Sequence, residues 1–271
     1  MLLRCLLPLA ALSLASCASP PVEAEDVTAV HPPLHVEVDG AGEPALVFIS
    51  GNGADLTAWA PIMDAVSEMN SRVVRYDRAG LGQSPLSPPP YSIDDEAAAL
   101  ERALADNAVS GPIVIVAHSY GGLIGFLLAE NSREIVGMVL VDALIPTELS
   151  PQYTDMILAQ YRPQYDMVRA QAPQLAKAVI PVVEAYPETA ARMATVRIRT
   201  DLPLIDIRAE NGTVADPVIA EAVRIAHSQF VGASRYRRRV LAKGSGHNVM
   251  QDRPDVVIEA VANMLALTRG N

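Results

Sequence analysis

The chain has 271 residues, half of them hydrophobic, and a formal charge of −10 from 21 basic and 31 acidic side chains. That balance excludes a binder of phosphate backbones, which needs a basic surface, and the acidity is read as a source of solubility. Only two cysteines occur, Cys5 and Cys17, so no thiol pair is available to staple the body of the chain, which must be held by its core.

From the N-terminus, Arg4 supplies a positive start, Leu6 to Leu14 an apolar run, and small residues follow. Residues 1–16 therefore read as a secretory signal peptide, too short to span a membrane as a stable helix. Residues 17–33 are rich in proline, alanine and acids and read as a semi-extended tether. The remainder, 34–271, alternates strand-like and helix-like segments, the pattern of an α/β fold with a mostly parallel central sheet flanked by helices. With the leader gone, about 255 residues can bury a core unaided, and that length fits one domain with an insertion.

Strands are expected at Leu34–Val38, Ala45–Ile49, Arg72–Tyr76, Ile113–Val116, Ile135–Val141, Leu204–Ile207 and Arg238–Leu241. Helices are expected at Leu56–Met69, Ile93–Asp106, Leu123–Glu130, Pro217–Phe230 and Pro254–Leu267. Residues 143–202 show helical periodicity and no strong strand. An insertion of that length leaving the carboxyl edge of a sheet reads as a helical cap over a site, since such connections are usually short. The one dense basic run, Arg235 to Arg239, leads into a strand and reads as its solvated entry.

The most informative stretch is Ile113-Val114-Ile115-Val116-Ala117-His118-Ser119-Tyr120-Gly121-Gly122. A buried strand, a sharp turn with a serine at its tip, and an apolar helix make a nucleophile elbow, usually written G-x-S-x-G. Ala117 replaces the first glycine and adds one methyl group. A serine hydroxyl must lose a proton as it attacks, and a histidine has the proton affinity to take it. His247, between Gly246 and the last helix, is the candidate base. His31 and His35 lie at or near the tether, His227 reads as packing or surface, and His118 is expected to point away from Ser119.

Four segments resemble the α/β-hydrolase fold family: Phe48 to Gly53, Tyr76 to Ser84, the elbow, and Gly244-Ser245-Gly246-His247. The resemblance covers nearly the whole chain after the tether and is weakest in the cap. It implies a triad in the order serine, acid, histidine, with His247 as base. The commonest place for the acid falls at Asn211 or Gly212, and neither is acidic. Asp142, at the end of the preceding strand, and Glu210 remain as candidates, with Asp142 preferred. Asp206 lies inside a strand and Asp216 reads as a helix cap. The resemblance also implies an oxyanion hole from the backbone N–H groups of Asn52 and Tyr120. Asp77 to Ser84 reads as structural, with Arg78 pairing locally, and Trp59 as a packing anchor.

The implied activity is that of a serine hydrolase acting on a small-molecule ester or related acyl substrate. A non-catalytic ligand-binding protein on the same scaffold and a cofactor-free perhydrolase are the alternatives. No residue set asks for a metal or an organic cofactor. Separately, Leu14-Ala15-Ser16-Cys17 resembles the lipobox of bacterial lipoproteins. That resemblance implies cleavage before Cys17 and a diacylglycerol on its thiol. With Ala18 next in place of aspartate, it implies an anchor in the outer membrane facing the periplasm.

Overall fold

A computed structural model of the chain describes residues 32–212, 214 and 216–269. The leader, Cys17 and the tether up to residue 31 lie outside the described residues. Seven strands form one sheet: β1 (Val36–Asp39), β2 (Ala45–Ile49), β3 (Val73–Tyr76), β4 (Ile113–His118), β5 (Ile135–Val141), β6 (Leu204–Ala209) and β7 (Arg237–Ala242). Their order across the sheet is β1-β3-β2-β4-β5-β6-β7, with β1 antiparallel to β3 and every other pair parallel.

The central strands are apolar on both faces because helices cover both. On β2, Ala45, Val47 and Ile49 pack to one side with helices α2 (Ile93–Asp106), α3 (Gly121–Asn131) and α8 (Pro217–Gly232). Leu46 and Phe48 pack to the other, with α1 (Ala60–Ser67), the short α9 (Val249–Asp252) and α10 (Pro254–Arg269). The two-residue period of a strand thus divides one run of hydrophobics between two cores.

Between β5 and β6 the chain forms α4 (Pro151–Tyr161), α5 (Tyr165–Gln171), α6 (Pro173–Glu184) and α7 (Tyr186–Met193), with a 3₁₀ turn at Pro146–Glu148 before them. Arg192 of α7 latches this segment to the body: its guanidinium donates to Asp94 at 2.8 Å and to Glu130 at 2.9 Å.

Most boundaries differ from expectation by one or two residues, and two of the differences have a visible cause. The segment Leu56–Met69 is a 3₁₀ turn (Leu56–Trp59) followed by the α-helix Ala60–Ser67. Asp55 caps the turn through Thr57 N–H, and Pro61 has no N–H with which to continue an α ladder through it. β1 begins at Val36 rather than Leu34. His35 spends its N–H on Ser84 Oγ at 2.8 Å and pairs its ring with Asp77 at 2.9 Å. No helix among the described residues is long and apolar enough to cross a membrane.

Candidate active site

Ser119 follows β4 with φ at +52°, a left-handed backbone that a non-glycine residue adopts at a cost of about 1–3 kcal/mol. The turn is held from both sides: Gly122 and Leu144 N–H groups donate to the Ser119 carbonyl at 3.0 and 2.9 Å. Close approach is enforced at Gly121, where a Cβ would lie 2.6 Å from the Ile49 carbonyl and 2.8 Å from that of Ser50. The loop after β2 passes close over Ser119. A Cβ on Gly51 would sit 2.9 Å from Ser119 Cβ and 3.4 Å from its Oγ.

Asp142 ends β5 and His247 follows β7. Folding brings them together across 105 residues of chain, with His247 Nδ1 2.7 Å from Asp142 Oδ2. The other carboxylate oxygen, Oδ1, accepts from Ala209 N–H at 3.1 Å and lies 3.3 Å from Arg208 Nη2. Burial alone would raise the Asp142 pKa. The His247 bond, the Arg208 charge and the Ala209 N–H outweigh it and hold the carboxyl below its ordinary value. An ionised Asp142 can only accept, so Nδ1 of His247 carries the proton and Nε2 presents a lone pair.

The side chain of His118 packs on His247, with ring centroids 4.5 Å apart. Its Nε2–H donates to the His247 carbonyl at 3.0 Å. Burial, then the neighbouring His247, push its pKa down to about 4, so it stays neutral. Its place beside Ser119 in the chain was the only available signal, and adjacency says nothing about direction.

Glu210 is engaged elsewhere: its carboxylate accepts Gly244 N–H at 2.8 Å and braces the loop that carries His247. Asp216 caps α8 through Val218 and Ile219 N–H. The backbone N–H groups of Asn52 and Tyr120 have no hydrogen-bond partner among the described residues. Asn52 is tied to the cap by its side chain, which donates to the Val179 carbonyl of α6 at 3.3 Å. Tyr120 is fully buried, its hydroxyl between those of Tyr91 at 2.9 Å and Thr189 at 3.2 Å.

The Asp77–Ser84 segment is a scaffold. Asp77 accepts from Leu56 and Gln83 N–H at 2.9 and 2.8 Å. Arg78 does not pair locally; it makes a buried two-pronged bond to Glu96 of α2, 18 residues on, at 2.5 and 3.0 Å. Trp59 is fully buried, 5.1 Å from the Phe48 ring.

Residues 46–260 match the family model described as the alpha/beta hydrolase family. The chain belongs to that family. This hydrolase is 26% identical over 232 residues to the uncharacterized protein YqjL of Bacillus subtilis, covering 82% of this chain and 83% of the relative. It is 33% identical over 144 residues to the lipase LipV of Mycobacterium tuberculosis, covering 51% of this chain and 53% of LipV. Among solved structures it resembles a thermophilic esterase from Thermogutta terrifontis, with a TM-score of 0.61 at 21% identity, over 87% of this chain and 93% of the esterase.

Beside Asn52 the hydrolase has a cavity of about 250 Å³ between the 78–92 loop and α6. Its wall is mainly apolar, from Leu81, Leu86, Pro88 to Pro90, Ala178, Pro181 and Val182. No group of His, Cys, Asp or Glu among the described residues is placed to hold a metal ion.

Proposed function

We propose that this hydrolase cleaves a small-molecule ester or related acyl bond through an acyl-enzyme on Ser119. The observation that carries the reading is the 2.7 Å pair of His247 Nδ1 and Asp142 Oδ2 beside a strained serine turn. Ser119 Oγ attacks the acyl carbonyl as its proton passes to His247 Nε2. Asp142 stabilises the imidazolium that results. The oxyanion is received by the Tyr120 and Asn52 N–H groups; losing one such donor raises the barrier by about 3 kcal/mol. Collapse expels the alcohol or amine, which takes the proton from His247, and water then repeats the sequence to free the acid. Asn52 alone joins the apolar cavity to this machinery, as Ser119, Asp142 and His247 do not line it. Similarity to a lipase and to an esterase supports ester chemistry.

The leader pattern ending at Cys17 supports a lipid anchor on that residue and a place at the cell envelope, at the outer membrane facing the periplasm.

A fluorophosphonate probe together with a panel of p-nitrophenyl esters tests the chemistry. Wild type is expected to be labelled and to turn over esters, and Ser119→Ala to do neither. An unlabelled wild type, or equal labelling of Ser119→Ala, overturns the reading.

A further inference from the structure

Behind Asp142 lies a buried cluster of charges that the acyl-transfer steps do not use. His227 of α8 sits between two carboxylates: Nδ1 is 3.0 Å from Asp206 Oδ2 and Nε2 is 2.5 Å from Glu148 Oε2. All three side chains are at most 2% exposed. With carboxylates 3.0 and 2.5 Å from its two ring nitrogens, His227 holds a proton more tightly than an ordinary histidine, although burial works against it.

Arg208 connects this cluster to the triad acid. Its Nη1 donates to the Ala143 carbonyl at 3.2 Å and lies 3.2 Å from His227 Nε2. Its Nη2 lies 3.3 Å from Asp142 Oδ1. Tyr153 is the remaining titratable neighbour of Arg208, and Arg239 faces Asp206 from β7 at 3.5 Å. Three negative groups (Asp142, Glu148, Asp206) therefore meet three positive ones (Arg208, His227, Arg239), and the cluster is neutral as a whole. Asp206 and Arg208 share one face of β6 because they are two apart. Glu148 lies in the 3₁₀ turn at the root of the cap.

We propose that Arg208 is a positioning residue for the triad acid, held against Asp142 by the Glu148–His227–Asp206 cluster. This rests on the acyl-transfer reading above. With Oδ1 pinned by Arg208 and Ala209, the carboxylate cannot rotate and Oδ2 stays on His247. Without Arg208, Oδ1 keeps one donor, the local balance falls to one net negative charge, and Asp142 holds a proton more readily.

The test compares wild type with Arg208→Gln, Arg208→Lys and Glu148→Gln in the full chain. Arg208→Gln is expected to lower kcat about tenfold or more with KM within about threefold, the signature of an interaction that matters in the transition state. The acid limb of its kcat–pH profile is expected to move upward by about one pH unit. Arg208→Lys, which keeps the charge, is expected to recover part of both effects, and Glu148→Gln to show a weaker version. Unchanged kcat and acid limb in Arg208→Gln overturn the proposal. So does a loss that disappears when rates are normalised to phosphonate-titrated sites. Should Arg208→Gln not fold, Glu148→Gln and Arg208→Lys carry the same test. A second readout is independent of turnover: the downfield proton resonance of His247 Nδ1–H, assigned by its loss in Asp142→Asn. It is expected to shift in Arg208→Gln, and an unshifted resonance overturns the positioning role even if wild type proves inactive on esters. Failure of the acyl-transfer reading shows separately, as a wild type that fluorophosphonate leaves unlabelled.

Discussion

His118 Nε2–H donates to the His247 carbonyl at 3.0 Å, so the residue next to Ser119 in the chain holds the backbone of His247 in space. The donor, not the charge, matters here, because burial keeps the ring neutral. Replacing it with an apolar ring leaves a part-buried carbonyl without this partner, a cost of about 1 kcal/mol. His118→Phe is expected to lower both kcat and the melting temperature, and His118→Gln, which keeps a donor, to lower them less. Ester kinetics with thermal melts on both variants would show it. Equal, wild-type behaviour would mean the contact does nothing.

The two candidate acids separate by what they touch. Asp142 meets His247, whereas Glu210 meets Gly244 N–H. Asp142→Asn is expected to reduce kcat by about 10³–10⁴-fold, the scale seen when a triad acid loses its charge. Glu210→Gln is expected to keep turnover within about threefold, since an amide oxygen still accepts from Gly244. The reverse ranking in steady-state kinetics would transfer the role to Glu210.

Gly121 faces two carbonyl oxygens that cannot retreat, because both belong to the end of β2 and its loop. Gly121→Ala is expected to destabilise the fold by about 1–3 kcal/mol through overpacking and to depress activity with it. Gly212 has open space where a Cβ would go, so Gly212→Ala is the matched control and should be silent in denaturant titrations.

His227 gives stability a specific pH dependence. Burial alone would lower its proton affinity, but Asp206 and Glu148 raise it above the ordinary histidine value. The folded chain thus keeps a proton that the unfolded chain releases above about pH 6.5. The contribution is complete below that pH and is lost as pH rises through the raised folded value. Wild-type melting temperature is therefore expected to decline from about pH 6.5 into the alkaline range. His227→Gln should start lower, by the roughly 3 kcal/mol that an orphaned buried charge costs, and decline less. A wild-type melting temperature that stays level over that range would falsify the assignment.

Cys17 is the residue on which the expected anchor depends. Expression with an alkynyl palmitate label is expected to tag wild type and leave Cys17→Ala untagged. The variant should shift from the membrane pellet to the soluble fraction. Tagging that survives Cys17→Ala would move the anchor elsewhere.

Much of the fold was legible because its signals are local. The runs Ala45–Ile49, Ile113–Val116 and Ile135–Val141 carry no polar side chain, the second is β-branched throughout, and each became a strand buried on both faces. The elbow was legible because strand, serine and paired glycines are contiguous. The partners of Arg78 and the direction of His118 were not, because both depend on where distant elements land. Arg208 left one trace: Asp206 and Arg208 alternate within an otherwise apolar strand, a parity that places two charges on one covered face. The expectation that His227 is packing or surface missed this, since its acids arrive from β6 and from the cap root, 21 and 79 residues away.

The bond from Asn52 to the Val179 carbonyl ties helix α6 to the loop lying over Ser119. On its other side the same loop is moored to the body, through Ser50 Oγ on the Asp55 carbonyl and Leu56 N–H on Asp77. A change confined to α6 would therefore reach Ser119 through a single side chain, that of Asn52.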